Sequence, residues 1–150
     1  MTRGVEVRQA TVEDLDFLVP LFDAYRQFYR QPSEPEGVRR FLLARFEHHQ
    51  STIFLAFDDR AAVAFAQIYP SFSSEAMRRI FILNDLFVQP EARRRGVGAA
   101  LLAAAARYGR SVGALRLVLS TEIANGAAQS LYEKEGWKRD TAFCAYELDL

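Results

Sequence analysis

The stretch from Ile80 to Arg110 constrains this chain more than any other: an apolar run, an arginine-rich loop holding two glycines, and a long alanine-rich segment. Ile80 to Val88 reads IFILNDLFV, rich in β-branched and aromatic residues and short, as a buried strand is. Gln89-Pro90-Glu91 ends it. Arg93-Arg94-Arg95-Gly96-Val97-Gly98 follows, and then AALLAAAARYGR, a strong helix former that ends near Gly109 and Gly113. A strand, a glycine turn and a helix start suit an anion, because the first helical N–H groups lack intrahelical acceptors and carry the positive end of the macrodipole, although three arginines in a row are also what a solvated face carries. Gly96 and Gly98 let the backbone approach a phosphate and permit positive φ.

Residue identities exclude two familiar phosphate loops. A dinucleotide fingerprint requires a small residue where Leu101 stands, and a P-loop requires Gly-Lys-Ser/Thr. Arg93-x-x-Gly96-x-Gly98 instead resembles the acetyl-CoA signature of the GCN5-related N-acetyltransferase family, Gln/Arg-x-x-Gly-x-Gly/Ala. A second strand candidate, Leu115 to Ser120, precedes Asn125-Gly126-Ala127-Ala128-Gln129-Ser130-Leu131-Tyr132-Glu133-Lys134-Glu135-Gly136-Trp137. This segment resembles the family's next block, an Asn opening a helix that carries a Tyr and ends in Gly-aromatic. The two blocks stand in the family's order and cover about half the chain.

At 150 residues the chain reads as one domain, 1–150, able to bury a sizeable core. With 19 basic and 19 acidic residues it lacks the broad electropositive face of a nucleic-acid binder, and the Arg93–Arg95 run is local. Cys144 alone excludes an internal disulfide and a cysteine-based zinc site. His48 and His49 lie at a helix end with no ligand partner at the required spacing, so no metal is expected. No leader or long apolar run is evident, which makes the cytoplasm the expected compartment and a membrane role unexpected.

Along the N-terminal half, Val5 to Arg8 alternates as a short strand, and Thr11 to Asp14 is close to a capping box. Leu15, Leu18, Phe22, Tyr25, Phe28 and Tyr29 form a helical stripe to about Arg30, and Pro32 stops it. Ser33 to Glu36 is a second cap-like sequence, followed by a helical period from Val38 to His49. Thr52 to Phe57 and Ala61 to Pro70 form a hairpin through Asp58-Asp59-Arg60. Ser71 to Arg79 is a polar loop, either flanking the acceptor or serving as a plain connection. Asn125 to Glu135 is the last helix, and Trp137 to Leu150 is expected as a closing strand pair with apolar positions Phe143, Cys144, Tyr146, Leu148 and Leu150. The order is β-α-α-β-β-β-α-β-α-β-β, a mixed α/β (α+β) fold with about seven strands. This is the family's order, and the resemblance implies a sheet splayed between the fourth and fifth strands with the cofactor in the wedge.

The resemblance implies roles for individual residues. The backbone of Leu86, Phe87 and Val88 pairs with the pantetheine arm of acetyl-CoA, and the amides of Arg94, Arg95, Gly96, Val97, Gly98 and Ala99, with Arg93 beside them, hold the pyrophosphate. Asn125 corresponds to the Asn that reaches the pantetheine arm, although an Asn before Gly is also an ordinary helix cap. Tyr132 corresponds to the general acid that protonates the departing thiolate, or else is a core tyrosine. Leu83 to Val88 is similar to the polyamine (diamine) acetyltransferases and their Hpa2-like relatives, in which a Glu-Asp pair precedes two aromatics and the Glu is the candidate base. Asn84 stands in that Glu's place and cannot take a proton at neutral pH, which leaves Asp85 or a water relay as the base. Tyr25 and Tyr29 either line the acceptor pocket, with Asn84, or pack with their hydroxyls at its rim.

The implied activity is transfer of an acetyl group from acetyl-CoA to a primary amine of a small molecule or peptide. The other interpretation is a CoA-binding regulatory module without turnover, suggested by the missing Glu. The partners implied are acetyl-CoA and an amine acceptor, without nucleic acid. Family members often dimerise through their C-terminal strands, so a homodimer is an expectation of the resemblance.

Overall fold

The computed structural model describes residues 4–150, which fall into two compact units: one runs to Ser120 and the other spans Thr121–Leu150. The first holds β1 (Val5–Gln9), α1 (Leu15–Phe28), α2 (Pro35–Glu47), β2 (Thr52–Asp58), β3 (Ala61–Ser73), β4 (Arg78–Val88), α3 (Val97–Ser111) and β5 (Leu117–Val118). Single 3-10 turns, Val12–Asp14 and Pro90–Ala92, lead into α1 and follow β4.

The sheet runs β1-β2-β3-β4-β5, antiparallel through β4 and parallel between β4 and β5. Its central strands are buried on both faces, which is why their sequences are continuous apolar runs. Ile53, Leu55 and Phe57 share one core with Leu18, Leu21, Phe22, Val38 and Leu42 of α1 and α2. The alternate residue Phe54 turns to the other face, where Tyr108 of α3 packs edge-on against Phe54 and Phe81 at centroid distances of 5.8 and 5.7 Å.

α1 starts where the capping sequence predicts, with the Thr11 N–H donating to Asp14 at 2.8 Å. α2 starts earlier than Val38, with Pro35 in its first turn, where the missing N–H costs nothing. Buried Asp23 fixes this start by accepting from the Ser33 hydroxyl at 2.6 Å and the Glu34 N–H at 2.8 Å.

Three expectations are corrected. Ser71 to Arg79 is mostly strand: Ser71 pairs with Ile80, Phe72 with Arg79 and Ser73 with Arg78, leaving only residues 74–77 to turn. The ladder and the Arg79 guanidinium, 4.5 Å from the Phe72 ring, make this polar segment extended despite its composition. Leu115 to Ser120 contributes only two strand residues. Trp137 to Leu150 forms no strand, so among the described residues the sheet has five strands rather than about seven. Alternation makes a strand only where a neighbour takes its backbone groups; here no ladder forms, and Phe143, Tyr146 and Leu148 are more than four-fifths exposed.

The expected splay is present. The β4–β5 ladder holds Phe81–Leu117 and Ile82–Val118, extended by the Leu115 N–H donating to the Arg79 carbonyl at 2.8 Å, and from Leu83 onward this edge of β4 has no β5 partner. The second unit contains α4 (Gly126–Lys134). Among the described residues, no helix is long and apolar enough to cross a membrane.

Candidate active site

The site grows from an irregularity in β4. Gln67 of β3 faces Asp85, but the next residue, Ile68, faces Leu83, so Asn84 is an extra residue and β4 is bulged there. The bulge turns the Asn84 carbonyl to the Tyr25 hydroxyl, which donates to it at 3.3 Å. It also puts an exposed Asn84 next to a buried Asp85.

Asp85 sits on the face covered by α1 and α2, in register with Phe87 and opposite Gln67. Its Oδ2 accepts from Gln67 Nε2 at 2.8 Å and its Oδ1 from Asn84 Nδ2 at 3.0 Å, with the Tyr25 hydroxyl also in hydrogen-bonding reach. All of these donors are neutral. Burial outweighs them and raises the Asp85 carboxyl above its ordinary value of 3.8. Nearby Tyr69 is pushed up to about 12, first by burial and then by the Asp85 charge, with Arg45 pulling the other way. It therefore remains a protonated phenol at neutral pH.

An aromatic wall stands over this carboxylate. Tyr25 packs against Phe22, Phe65 and Phe87, and Tyr29 stands 5.2 Å from Tyr25 between ring centroids. The Tyr25 ring is packed while its hydroxyl reaches the bulge.

At the C-terminal end of β4 the chain turns through Pro90–Ala92 into the glycine loop. Gly96 is the N-cap of α3 with φ +77°, a left-handed conformation that strains any other residue type, and Arg94 also has positive φ, +65°. Gly98 differs from expectation: it lies inside the first turn of α3 with an ordinary φ, so its value there is the missing side chain alone. The first backbone bond of α3 runs from the Ala100 N–H to the Gly96 carbonyl at 3.0 Å, one turn past the N-cap. Val97, Gly98 and Ala99 thus present the orphan amides of a fifteen-residue helix whose first turn holds no acid. Val97 is itself buried and anchors the helix start. A pyrophosphate fits this charge and donor pattern.

The three loop arginines differ in what they touch. Arg93 Nε donates to the Val88 carbonyl at 2.9 Å, and its guanidinium lies 5.7 Å from the Phe87 ring and 5.8 Å from Phe28. Arg95 pairs with Asp58 at 2.8 Å, tying the loop to the end of β2. Arg94 is exposed on the loop between them. Leu86, Phe87 and Val88 lie on the β4 stretch that has left β5, which exposes a strand edge to an extended partner.

Asn125 and Tyr132 belong to the second unit. Asn125 Oδ1 accepts from the Ala128 N–H at 3.1 Å, an N-cap, and the Tyr132 ring lies 5.9 Å from that of Trp137. No cluster of three or more His, Cys, Asp or Glu able to hold a metal occurs among the described residues. Sequence reasoning missed Gln67, the direct partner of Asp85. Its signal was present: a lone amide in the run AAVAFAQIYP must be buried, and a buried amide must be hydrogen-bonded.

Known proteins share this fold. The model of the acetyltransferase (GNAT) family matches residues 18–137. The uncharacterized N-acetyltransferase YhfO of Bacillus subtilis is 47% identical over 146 residues, which cover 97% of this chain and 98% of the relative. A probable acetyltransferase of Haemophilus influenzae is 34% identical over 91% of this chain and 92% of its own length. The crystal structure of a probable acetyltransferase superposes with a TM-score of 0.92 at 43% identity, covering 97% of each chain. An aminoglycoside N-acetyltransferase solved in complex with CoA shares the fold at a TM-score of 0.81 and 20% identity, over 97% of this chain and 95% of that one. The splayed sheet, the glycine-capped helix start and the family match over most of its length make this chain a member of the GCN5-related N-acetyltransferase family, an acetyl-transferring enzyme of the class that uses acetyl-CoA.

Proposed function

We propose that the enzyme acetylates a primary amine of a small molecule or peptide by direct attack in a ternary complex, after the manner of the polyamine and Hpa2-like branch. The observation that carries this is Asp85: a carboxylate on the bulged strand, buried under aromatic rings and ringed by neutral donors, with its basicity raised by burial. Such a group attracts an ammonium and can take its proton.

When bound, acetyl-CoA supplies an activated acetyl thioester. The orphan amides of Val97, Gly98 and Ala99 hold its pyrophosphate, and a backbone N–H of Leu86, Phe87 or Val88 polarises the thioester carbonyl. Asp85, directly or through a water, removes the proton from the amine as the new N–C bond forms. Tyr132, assigned from its place in the motif, gives its proton to the sulfur as the C–S bond breaks. Tyr25, Tyr29 and Asn84 line the acceptor side, where π faces and an amide suit a cationic amine better than an acid. Asn125 is assigned a contact to the pantetheine arm by the same motif.

The test is thiol release from acetyl-CoA with a panel of 1,4-diaminobutane, spermidine, a lysine-bearing peptide and an aminoglycoside. Turnover with at least one amine is expected. Tyr132→Phe should lower kcat about 10- to 1,000-fold with acetyl-CoA binding nearly unchanged. Full turnover by that variant would remove Tyr132 from the reaction, and no turnover with any amine would remove the proposal.

A further inference from the structure

We infer that Gln67 is a positioning residue for Asp85, holding Oδ2 so that the substrate proton is received at Oδ1. This rests on the proposed role of Asp85. Gln67 is fully buried, and both ends of its amide are engaged: Nε2 donates to Asp85 Oδ2 at 2.8 Å, and Oε1 accepts from the Ser51 hydroxyl at 2.7 Å. Turning the amide would set its oxygen against an ionised carboxylate and leave a buried pair of lone pairs facing each other, so one orientation holds while Asp85 is charged.

The two carboxylate oxygens are therefore unequal. A proton arriving on Oδ2 would break a buried hydrogen bond and force both Gln67 and Ser51 to reorganise. At Oδ1 the competing donor is Asn84, an exposed residue on the bulge that can swing into solvent, and the Tyr25 hydroxyl, which also reaches the carboxylate, has the Asn84 carbonyl as an alternative acceptor at 3.3 Å. The rigid partner lies on the interior side and the yielding partner on the open side. The register makes this possible, because Gln67 and Asp85 face each other directly and the extra residue comes immediately before Asp85. Other titratable or charged groups around the carboxylate are Tyr25 from α1, Tyr69 from β3 and, through Tyr69, Arg45 from α2. Tyr69, pushed up to about 12, stays protonated while Asp85 titrates. The proton that moves there belongs to Asp85.

Gln67 thus does two things: it favours the ionised carboxylate by one strong donor, and it selects the oxygen that acts. Gln67→Met keeps the shape and removes the donor. Ser51→Ala keeps the donor but releases its orientation. The direct measurement is carbon-detected NMR titration of the aspartate carboxyls in the full chain, with the Asp85 signal assigned by its loss in Asp85→Asn. The Asp85 midpoint is expected to rise by about one pH unit in Gln67→Met and by less in Ser51→Ala. The acid limb of kcat/KM for the best amine of the panel should move with it, while KM for acetyl-CoA stays constant.

An unmoved midpoint in both variants overturns the inference, and so does a moved midpoint with unmoved kcat and pH profile. Should Gln67→Met fail to fold, Ser51→Ala decides by the same two readouts. Failure of the underlying proposal looks different: Asp85→Asn itself would retain full turnover.

Discussion

Two aspartates of the first unit have the same small exposed fraction, 5%, and their surroundings drive them in opposite directions. Asp14, at the entry to α1, accepts from Arg8 Nη1 and Nη2 at 2.8 Å each and from the Thr11 N–H at 2.8 Å. The Arg8 guanidinium, ahead of the burial cost, holds its carboxyl below the ordinary value of 3.8. Asp85 has amides and a phenol instead of a cation, and burial raises it. Exposed surface alone therefore says little about what a carboxylate is for. A charge-paired carboxylate is pinned in its ionised form and holds structure, whereas one surrounded by neutral donors stays able to exchange a proton.

The largest effect should come from Asp85→Asn. Turnover is expected to fall by a factor of about 100 to 10,000, the range of a positioned base, with acetyl-CoA affinity changed by less than about twofold because the contacts proposed for it come from backbone. The melting temperature should hold, since removing a buried charge without a counter-ion offsets the loss of one accepting oxygen. Unaltered kcat would break the contrast by making both aspartates structural.

Gly98→Asp sharpens the other end of the strand. An acid in the first turn suits the helix dipole, so the fold should persist, yet it occupies the place of the anion, and acetyl-CoA binding should weaken at least roughly tenfold by calorimetry. Equal affinity would detach the orphan amides of α3 from the cofactor.

Asp14→Ala should do the reverse of Asp85→Asn. It removes a bidentate ion pair and the acceptor for the Thr11 N–H, so stability should drop by about 1 to 3 kcal/mol in denaturant titration, with kcat unchanged. A loss of turnover in a variant that remains folded would end the separation between the two sites.

What the sequence disclosed about these regions follows from how local the signals are. Thr11 to Asp14 is a capping pattern within four residues, and Arg93 to Gly98 carries its chemistry in the backbone of one turn. Both were legible. The bulge at Asn84 was not, because it exists only in the pairing of β4 with β3, and the Gln67–Asp85 bond joins residues whose contact the register alone decides. Asp23 was hidden in the same way: its partners Ser33 and Glu34 arrive from the next helix. Trp137 to Leu150 failed in the opposite sense, with a strand-like alternation clear in the letters and no ladder to receive it.

The smallest effect, and the finest test of the contrast, is Arg8→Gln. The Arg8 side chain is 45% exposed, so its pair with Asp14 is screened and its loss should cost no more than about 1 kcal/mol, including the contact of its guanidinium with the Phe57 ring at 4.9 Å. The pH dependence carries the sign. Asp14 has a folded pKa below its unfolded one, so its contribution is fully present above about 3.9 and fades as pH falls through the lower folded value. Arg8→Gln should raise that folded value and shrink the acid-sensitive part of the stability, bringing the two curves together at low pH. Asp85 runs the other way: with a raised folded pKa, the folded state binds the extra proton, and stability declines as pH rises from about 3.9 through the raised value. Asp85→Asn should abolish that decline while Arg8→Gln leaves it intact. Melting curves of the two variants and the parent across the acid range decide this, and a common pH slope in all three would show that the two carboxylates do not differ in the way their partners dictate.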